Sequence, residues 1–325
     1  MTLDWRHAYR DREVLVLGAS GFIGRWVARS LSQAGAKLRL VTRDAKRGQG
    51  LTSSYDIAGE WIEVDLADPC AASALIERTR PHVVFNLSGY GVARSERDEA
   101  RANLLNRDLV GALAEALAQS TDGSWPGVRL IHTGSAFEYG RAGGDLNEST
   151  PAKPCTLYGE TKLAGTRRLT EVCRAADLKG ATVRVFTVFG PGERTGRLLP
   201  SLMQIAESGA ELEMTAGIQE RDFTYVEDVA EGLLRVACSQ AAPGAVINLA
   251  TGRLTSVRRF VELAAGVLQI SESQLRFAQL ATGLEEMEHD PVNTALLQSL
   301  THWRPATSIE QGVGRTSAFR SETNS

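Results

Sequence analysis

The chain has 325 residues, 43% of them hydrophobic and 23% charged, with a net charge of −3. This composition is ordinary for a soluble globular protein of one or two domains, and it supplies no basic field to draw nucleic acid or an anionic membrane. Four scattered cysteines (Cys70, Cys155, Cys173, Cys238) and five isolated histidines (His7, His82, His132, His289, His302) argue against a disulfide framework and against a metal site.

No apolar run reaches the length of a membrane span. The polar stretch 1–12 lacks a secretory apolar segment, so the expected location is the cytoplasm. Val14-Leu15-Val16-Leu17 then runs into Gly18-Ala19-Ser20-Gly21-Phe22-Ile23-Gly24, with an amphipathic stretch from Arg25 to Ala34. This reads as a buried strand, a glycine turn and a helix N-terminus. Bare N–H groups at such a terminus hold a pyrophosphate. Gly18 permits the turn, Gly21 lets the backbone approach phosphates, and Gly24 lets the helix pack closely. A bound dinucleotide is expected.

Further apolar runs lie at 38–41, 61–64, 83–87, 128–132 and 182–186. Helix-period stretches separate them at 22–34, 71–79, 97–119 and 157–176. Strand–helix alternation predicts a Rossmann-type, doubly wound parallel sheet, with ligands at the C-terminal strand ends. The pattern 48–55 reads as a flexible surface turn, and 140–154, rich in Gly, Pro and polar residues, as an active-site loop. Beyond Gly190-Pro191-Gly192 the alternation loosens. Helical patterns lie at 197–207, 227–237, 257–267 and 292–300, strand patterns at 221–226 and 246–250, and a polar tail follows Phe319. The expected division is a dinucleotide-binding domain over 1–186, with 220–250 returning to it. A smaller, mixed α/β substrate region takes 187–219 and 251–325.

Tyr158-Gly159-Glu160-Thr161-Lys162 opens the 157–176 pattern after Pro151 and Pro154. A spacing of four sets both side chains on one helical face. A phenol titrates near about 10, and an adjacent ammonium favours the phenolate and lowers that value. The pair suits acid/base work on a hydroxyl–ketone interconversion; a Tyr and a Lys on an amphipathic helix are the plain structural alternative. The run 128–132 ends in Thr133-Gly134-Ser135, which puts Ser135 at the C-terminal end of a central strand. Its hydroxyl can bond a substrate oxygen and share a proton with Tyr158, or satisfy a strand-end backbone group.

With the glycine turn, Ser135, Tyr158 and Lys162 in this order, nearly the whole chain resembles the short-chain dehydrogenase/reductase superfamily. It is most similar to the extended branch of nucleotide-sugar epimerases, dehydratases and 4-keto reductases. Asp65-Leu66 resembles the branch's adenine-contacting pair, and Leu87-Ser88-Gly89 its segment beside the cofactor. Arg184-Val185-Phe186, leading through Thr187 to Phe189-Gly190-Pro191-Gly192, resembles the strand that passes the nicotinamide. Arg221-Asp222-Phe223 with Val226 and Asp228 resembles the entry to the substrate region, and Trp303-Arg304-Pro305 with Ser308-Ile309-Glu310-Gln311-Gly312 the family's C-terminal ending.

The resemblance implies roles. Tyr158 is the general acid/base, Lys162 lowers its pKa and holds the nicotinamide ribose, and Ser135 orients the substrate oxygen. Arg221 pairs with a nucleotide-sugar diphosphate, a task that suits a planar guanidinium, or else it is a surface partner of Glu220 or Asp222. Gly18, Ser20, Gly21, Phe22, Ile23, Gly24, Asp65, Leu66, Leu87, Ser88, Gly89 and Phe186 hold the cofactor, and Thr187 meets the substrate. No metal is implied.

The run 38–41 leads to Thr42-Arg43-Asp44. An acid at this strand end binds the adenosine 2′-hydroxyl, whereas an arginine accommodates a 2′-phosphate. Thr42 and Arg43 therefore favour NADP(H), with NAD(H) the alternative; Asp44 lies further out. Net reductases of the branch use NADPH, while its epimerases retain NAD. The leading expectation is an NADPH-dependent reductase of a 4-keto nucleotide sugar; the alternative is a 4-epimerase holding NAD. A silent dinucleotide sensor is disfavoured because Tyr158 and Lys162 are both present. Dehydration is disfavoured because Ala136 and Phe137 stand where dehydratases carry an acid. Glu138, one place later in an extended segment, turns to the other face. Thr187 and Asp108 replace the branch's usual asparagines, and no second diphosphate-binding arginine is evident before Asp290, which keeps a non-nucleotide ketone open. The branch often dimerises through the helices here at 97–119 and 157–176, so a homodimer is expected.

Overall fold

A computed structural model describes residues 5–91, 96–120, 124–280 and 289–323. In chain order its strands are β1 (Glu13–Leu17), β2 (Lys37–Thr42), β3 (Glu60–Glu63), β4 (Val83–Asn86), β5 (Leu130–Ser135), β6 (Gly180–Val185) and β7 (Thr187–Phe189). There follow β8 (Leu212–Glu213), β9 (Glu220–Arg221), β10 (Phe223–Tyr225), β11 (Ala245–Leu249), β12 (Thr255–Ser256) and β13 (Leu275–Arg276). Seven of these form one sheet in the order β11-β6-β5-β4-β1-β2-β3, every pair parallel. The expected Rossmann-type doubly wound sheet is what forms. The three short pairs, β7 with β10, β9 with β12 and β8 with β13, lie outside it.

Parallel strands covered on both faces must be apolar throughout. In β1, Val14 and Val16 face one core, built with Trp26, Val27, Leu31 and the Val226–Ala237 helix. Leu15 and Leu17 face the other, with Leu75, Leu113, Leu117 and Leu169. The strand order reverses between β1 and β4, so their C-terminal ends splay into a crevice, the ligand position of such sheets. There Leu17 pairs with Asn86 and the Leu87 N–H donates to the Leu17 carbonyl at 3.0 Å.

Several local expectations need correcting. The 48–55 stretch is not a flexible turn: Ala45–Thr52 is helical and Ser53–Tyr55 is a 3-10 turn. Asp44 supplies the N-cap, accepting the Arg47 N–H at 2.9 Å. Tyr55 is buried between Trp26, at 5.2 Å, and Phe319, at 4.9 Å. Small polar residues read as a turn because that burial comes from distant chain. Likewise the helix Ile309–Thr323 continues past Phe319, which anchors it on Trp26 and Tyr55. The 97–119 pattern is α-helical at Glu99–Asn103 and Leu109–Gln119, with a π turn at Leu104–Asp108 between. The 221–226 strand is split between β9 and β10 around Asp222. Among the described residues, no helix is long and apolar enough to cross a membrane.

Candidate active site

The glycine turn is locked by backbone contacts. Gly18 adopts φ +76°, and a Cβ on it would lie 2.8 Å from the Leu87 carbonyl oxygen. A Cβ on Gly24 would lie 2.0 Å from the Gly18 carbonyl oxygen. The helix Phe22–Gln33 is capped at Gly21, which makes no side-chain cap bond. Its first backbone bond is from the Arg25 N–H to the Gly21 carbonyl, at 3.1 Å. The N–H groups of Phe22, Ile23 and Gly24 thus stand outside the helical ladder, with Ser20 beside them. This cradle fits a diphosphate. Arg25 and Trp26 tie the helix to the 190–192 turn: Arg25 Nη2 donates to the Gly192 carbonyl at 3.2 Å and Trp26 Nε1 to the Pro191 carbonyl at 2.8 Å.

At the far edge, β2 ends at Thr42 and Arg43 is exposed. The Asp44 carboxylate is engaged as the helix cap. Asp65 stands after β3 and accepts the Ala67 N–H at 3.1 Å, closing a turn with Leu66 inside it. After β4, the 87–91 segment crosses the crevice. Ser88 Oγ donates to Asn86 Oδ1 at 2.5 Å. A Cβ on Gly89 would lie 3.8 Å from Lys162 Nζ, and one on Gly91 would lie 3.4 Å from the Tyr158 ring.

Ser135, Tyr158 and Lys162 are therefore gathered under one loop. Ser135 ends β5 and caps the Ala136–Glu138 turn, its Oγ accepting the Phe137 N–H at 3.2 Å. Thr156 caps the Leu157–Ala175 helix by accepting the Gly159 N–H at 3.0 Å. That cap aims Tyr158 at Ser135, and the Phe137 ring packs edge-on against the phenol at 5.9 Å. Burial pushes the Tyr158 phenol up to about 12, against the downward pull of the Ser135 hydrogen bond and the Arg197 charge. The expected lowering by Lys162 does not occur: burial outweighs the groups that pull the phenol down, and Lys162 is not one of them. Lys162 is itself buried, and desolvation pulls it down to about 8 against the Glu138 charge.

Of the remaining expected residues, Phe186 follows Val185, the strand partner of Ser135, and Thr187 and Arg221 lie on the short strand pairs outside the main sheet. Phe186 is half-buried between the rings of Tyr139, at 6.4 Å, and His289, at 6.1 Å. Thr187 pairs with Phe223 across β7 and β10, its N–H donating to the Asp222 carbonyl at 3.0 Å. Arg221 is half-buried on β9 opposite Thr255. Asp222 is taken by other groups: it accepts the N–H groups of Thr251, Gly252 and Arg253 at 2.9, 2.8 and 3.1 Å. Residues 281–288, ahead of Asp290, lie outside the described residues.

Three groups escape the sequence reading. Asn106 is buried in the π turn, bonded to both backbone groups of Tyr90 and to Thr161 Oγ1 at 2.9 Å. Asp108, the position that departs from the family pattern, is instead exposed and paired with Arg107. A period of 3.6 cannot locate Asn106, because the π turn resets the helical phase. Glu138 folds inward because 136–138 is a 3-10 turn, not the extended segment expected. Glu193 is the third. Its side chain is 10% exposed, its Oε2 has no partner, and Arg197 lies 3.8 Å from Oε1. Burial holds this carboxyl up at about 7.

Glu193 gives a stability test. From about 4.5 to about 7 the folded protein keeps a proton that the unfolded chain releases, so stability falls as pH rises through that window. Glu193→Gln should be more stable than wild type at pH 8 by about 3 kcal/mol and equal to it near pH 4. Thermal melts at both pH values check this; equal melts at pH 8 would refute it.

Among the described residues, no cluster of His, Cys, Asp or Glu could hold a metal. A doubly wound sheet with this glycine cradle and a Ser–Tyr–Lys cluster at one crevice is the architecture of an extended short-chain dehydrogenase/reductase. The chain belongs to the NAD dependent epimerase/dehydratase family, whose model matches residues 14–250, and it is an enzyme of that family. It is 29% identical over 314 residues to dTDP-6-deoxy-L-talose 4-dehydrogenase (NAD(P)(+)) of Kitasatospora kifunensis, covering 92% of this chain and 93% of that one. Its fold is shared by an epimerase from Methanothermobacter thermautotrophicus, with 22% identity, TM-score 0.84 and coverage of 99% of this chain and 95% of that one. It is shared as well by the UDP-glucuronic acid 4-epimerase of Bacillus cereus, solved with UDP-glucuronic acid and NAD. There the identity is 22% and the TM-score 0.82, covering 95% of this chain and 99% of that one.

Proposed function

We propose that the protein is an NADPH-dependent reductase of a 4-keto nucleotide sugar. The observation that carries this reading is the convergence of Ser135, Tyr158 and Lys162 under the 88–91 loop, beside the glycine cradle. A phenol held up at about 12 keeps its proton at neutral pH, the form a general acid toward a ketone oxygen must be in. The 4-dehydrogenase relative is named for chemistry at the same sugar carbon, on a thymidine diphosphate sugar.

In this reading Gly18, Ser20, Gly21, Phe22, Ile23 and Gly24 hold the diphosphate of the cofactor. Asp65 and Leu66 hold its adenine; Leu87, Ser88, Gly89, Phe186 and Lys162 hold the nicotinamide riboside. When bound, the dihydronicotinamide supplies a hydride. Ser135 orients the ketone oxygen, and Tyr158 delivers a proton to it. Arg221 takes the sugar diphosphate, Thr187 flanks the sugar, and 187–219 with 251–325 cover it, while 220–250 stay with the dinucleotide domain. The enzyme works in the cytoplasm as a homodimer through the helices within 97–119 and 157–176.

The test is nicotinamide oxidation with a panel of 4-keto nucleotide sugars, beginning with thymidine diphosphate 4-keto-6-deoxyhexoses. Turnover with NADPH is expected; none with any member would overturn the reading, and retained NAD with no net oxidation would indicate 4-epimerisation.

The cofactor choice is supported by Asp44. Its carboxylate caps the next helix through the Arg47 N–H, while Arg43, directly after β2, is exposed. Arg43→Ala should weaken NADPH binding about tenfold and leave NADH unchanged, the loss of one charge-assisted contact. Fluorescence titration of both cofactors measures this, and equal losses for the two would exclude a 2′-phosphate role.

A further inference from the structure

We propose that Glu138 is a positioning residue of the catalytic cluster, fixing Ser135 and setting one buried negative charge behind Tyr158 and Lys162. The inference rests on the reading of that cluster as the proton-transfer site, and it adds a residue to Ser135, Tyr158 and Lys162.

The Glu138 side chain is 0% exposed. Oε1 accepts the Ser135 N–H at 2.8 Å, while Oε2 accepts Thr166 Oγ1 and Arg184 Nε, both at 2.9 Å. Ser135 in turn caps the turn that carries Glu138, so the two residues hold each other. The reciprocal cap fixes the Ser135 backbone at the end of β5, and with it the direction of Oγ toward Tyr158. Neighbours leave no slack: a Cβ on Gly134 would lie 2.5 Å from Glu138 Oε1.

A buried ion pair is a poor source of stability, since desolvation offsets the attraction. One function of such a charge is to act on its neighbours. The groups around it are Tyr158, Lys162 and Thr166 on the Leu157–Ala175 helix, Arg184 on β6 and Tyr139 next in sequence, with His132 on β5 beyond them, next to Lys162. Arg184 lies over the Tyr139 ring at 4.4 Å. Glu96 and Arg197 add to the field at Tyr158. The Glu138 carboxylate favours the charged ammonium of Lys162 and the neutral phenol of Tyr158. Both are the protonated forms that reduction of a ketone requires.

Lys162 offers a readout that needs no substrate. The chain has five lysines, Lys37, Lys46, Lys153, Lys162 and Lys179, so labelling lysine with 13C at Cε gives few signals, and Lys162→Arg assigns the one of interest. Its titration midpoint is followed in the wild type, Glu138→Gln and Glu138→Asp. Glu138→Gln keeps the reach to Ser135 and loses the charge; its Lys162 midpoint should fall by at least about half a pH unit. Glu138→Asp keeps the charge and is too short for the Ser135 N–H; its midpoint should stay near wild type while kcat falls about tenfold with KM little changed. If Glu138→Gln does not fold, Glu138→Gln/Arg184→Gln removes both buried charges, and a smaller fall is expected because loss of the Arg184 cation acts the other way. An unmoved Lys162 midpoint in the folded Gln variant, single or double, would leave Glu138 a purely structural residue. Because the titration uses no sugar, it stands whether or not the panel of 4-keto sugars is turned over.

Discussion

Replacing Tyr158 by phenylalanine should lower kcat for ketone reduction about 10²- to 10⁴-fold, the usual worth of a positioned acid, with cofactor affinity within about twofold of wild type. The substitution is clean because the ring has its own packing, edge-on against Phe137 at 5.9 Å and under Gly91. Only the hydroxyl is lost, together with its bond to Ser135. The pH profile adds a sign. The phenol is held up at about 12, so the wild-type enzyme should keep its acid charged with a proton throughout the neutral range. Its first alkaline loss of rate should come instead from Lys162, held near about 8. Steady-state kinetics and fluorescence binding measure both quantities. A Tyr158→Phe enzyme within about tenfold of wild-type kcat would remove the phenol from the chemistry and, with it, the general-acid mechanism.

Why the phenol stands where it does was largely legible in the sequence. The spacing from Tyr158 to Lys162 and the strand end at Ser135 are local features, and local features survive folding. The same holds for β1 and the glycine turn, whose apolar run and glycines admit few other structures. What the sequence hid comes from contacts between distant segments. Tyr55 looked like part of a loose turn because its burial depends on Trp26 and on Phe319, near the other end of the chain. Asn106 is hidden from a helical reading because a π turn shifts the face of the helix, and Gly165 on the neighbouring helix shapes that contact: a Cβ there would lie 1.9 Å from the Asn106 carbonyl oxygen. Glu138 was read as facing away on the assumption of extended backbone. A 3-10 turn instead brings it to Arg184 and Thr166. The balance of charge around Tyr158 was the least legible feature. Spacing alone shows which charges are near, and only burial shows that desolvation outweighs them.

Gly24→Ala should weaken dinucleotide binding about 10²-fold, a loss of about 2.7 kcal/mol, comparable to one or two hydrogen bonds to a charged group. The added methyl would lie 2.0 Å from the Gly18 carbonyl oxygen and 3.0 Å from the Ala19 Cα. Both are backbone atoms, and neither can rotate aside as a side chain would. The start of the Phe22–Gln33 helix must therefore lift from the turn, taking with it the N–H groups of Phe22, Ile23 and Gly24. Displacement of this kind also costs stability, about 1–3 kcal/mol for an overpacked site. Gly50→Ala is the control. Gly50 lies within the Ala45–Thr52 helix, and a Cβ on it would meet nothing within 4 Å. It should raise stability by about 0.5–1 kcal/mol, since alanine loses less backbone freedom in a helix. Calorimetric titration of NADPH and thermal melts of the two variants separate the effects. Wild-type affinity in Gly24→Ala would mean that the diphosphate is not held at this helix N-terminus, whatever the fold around it.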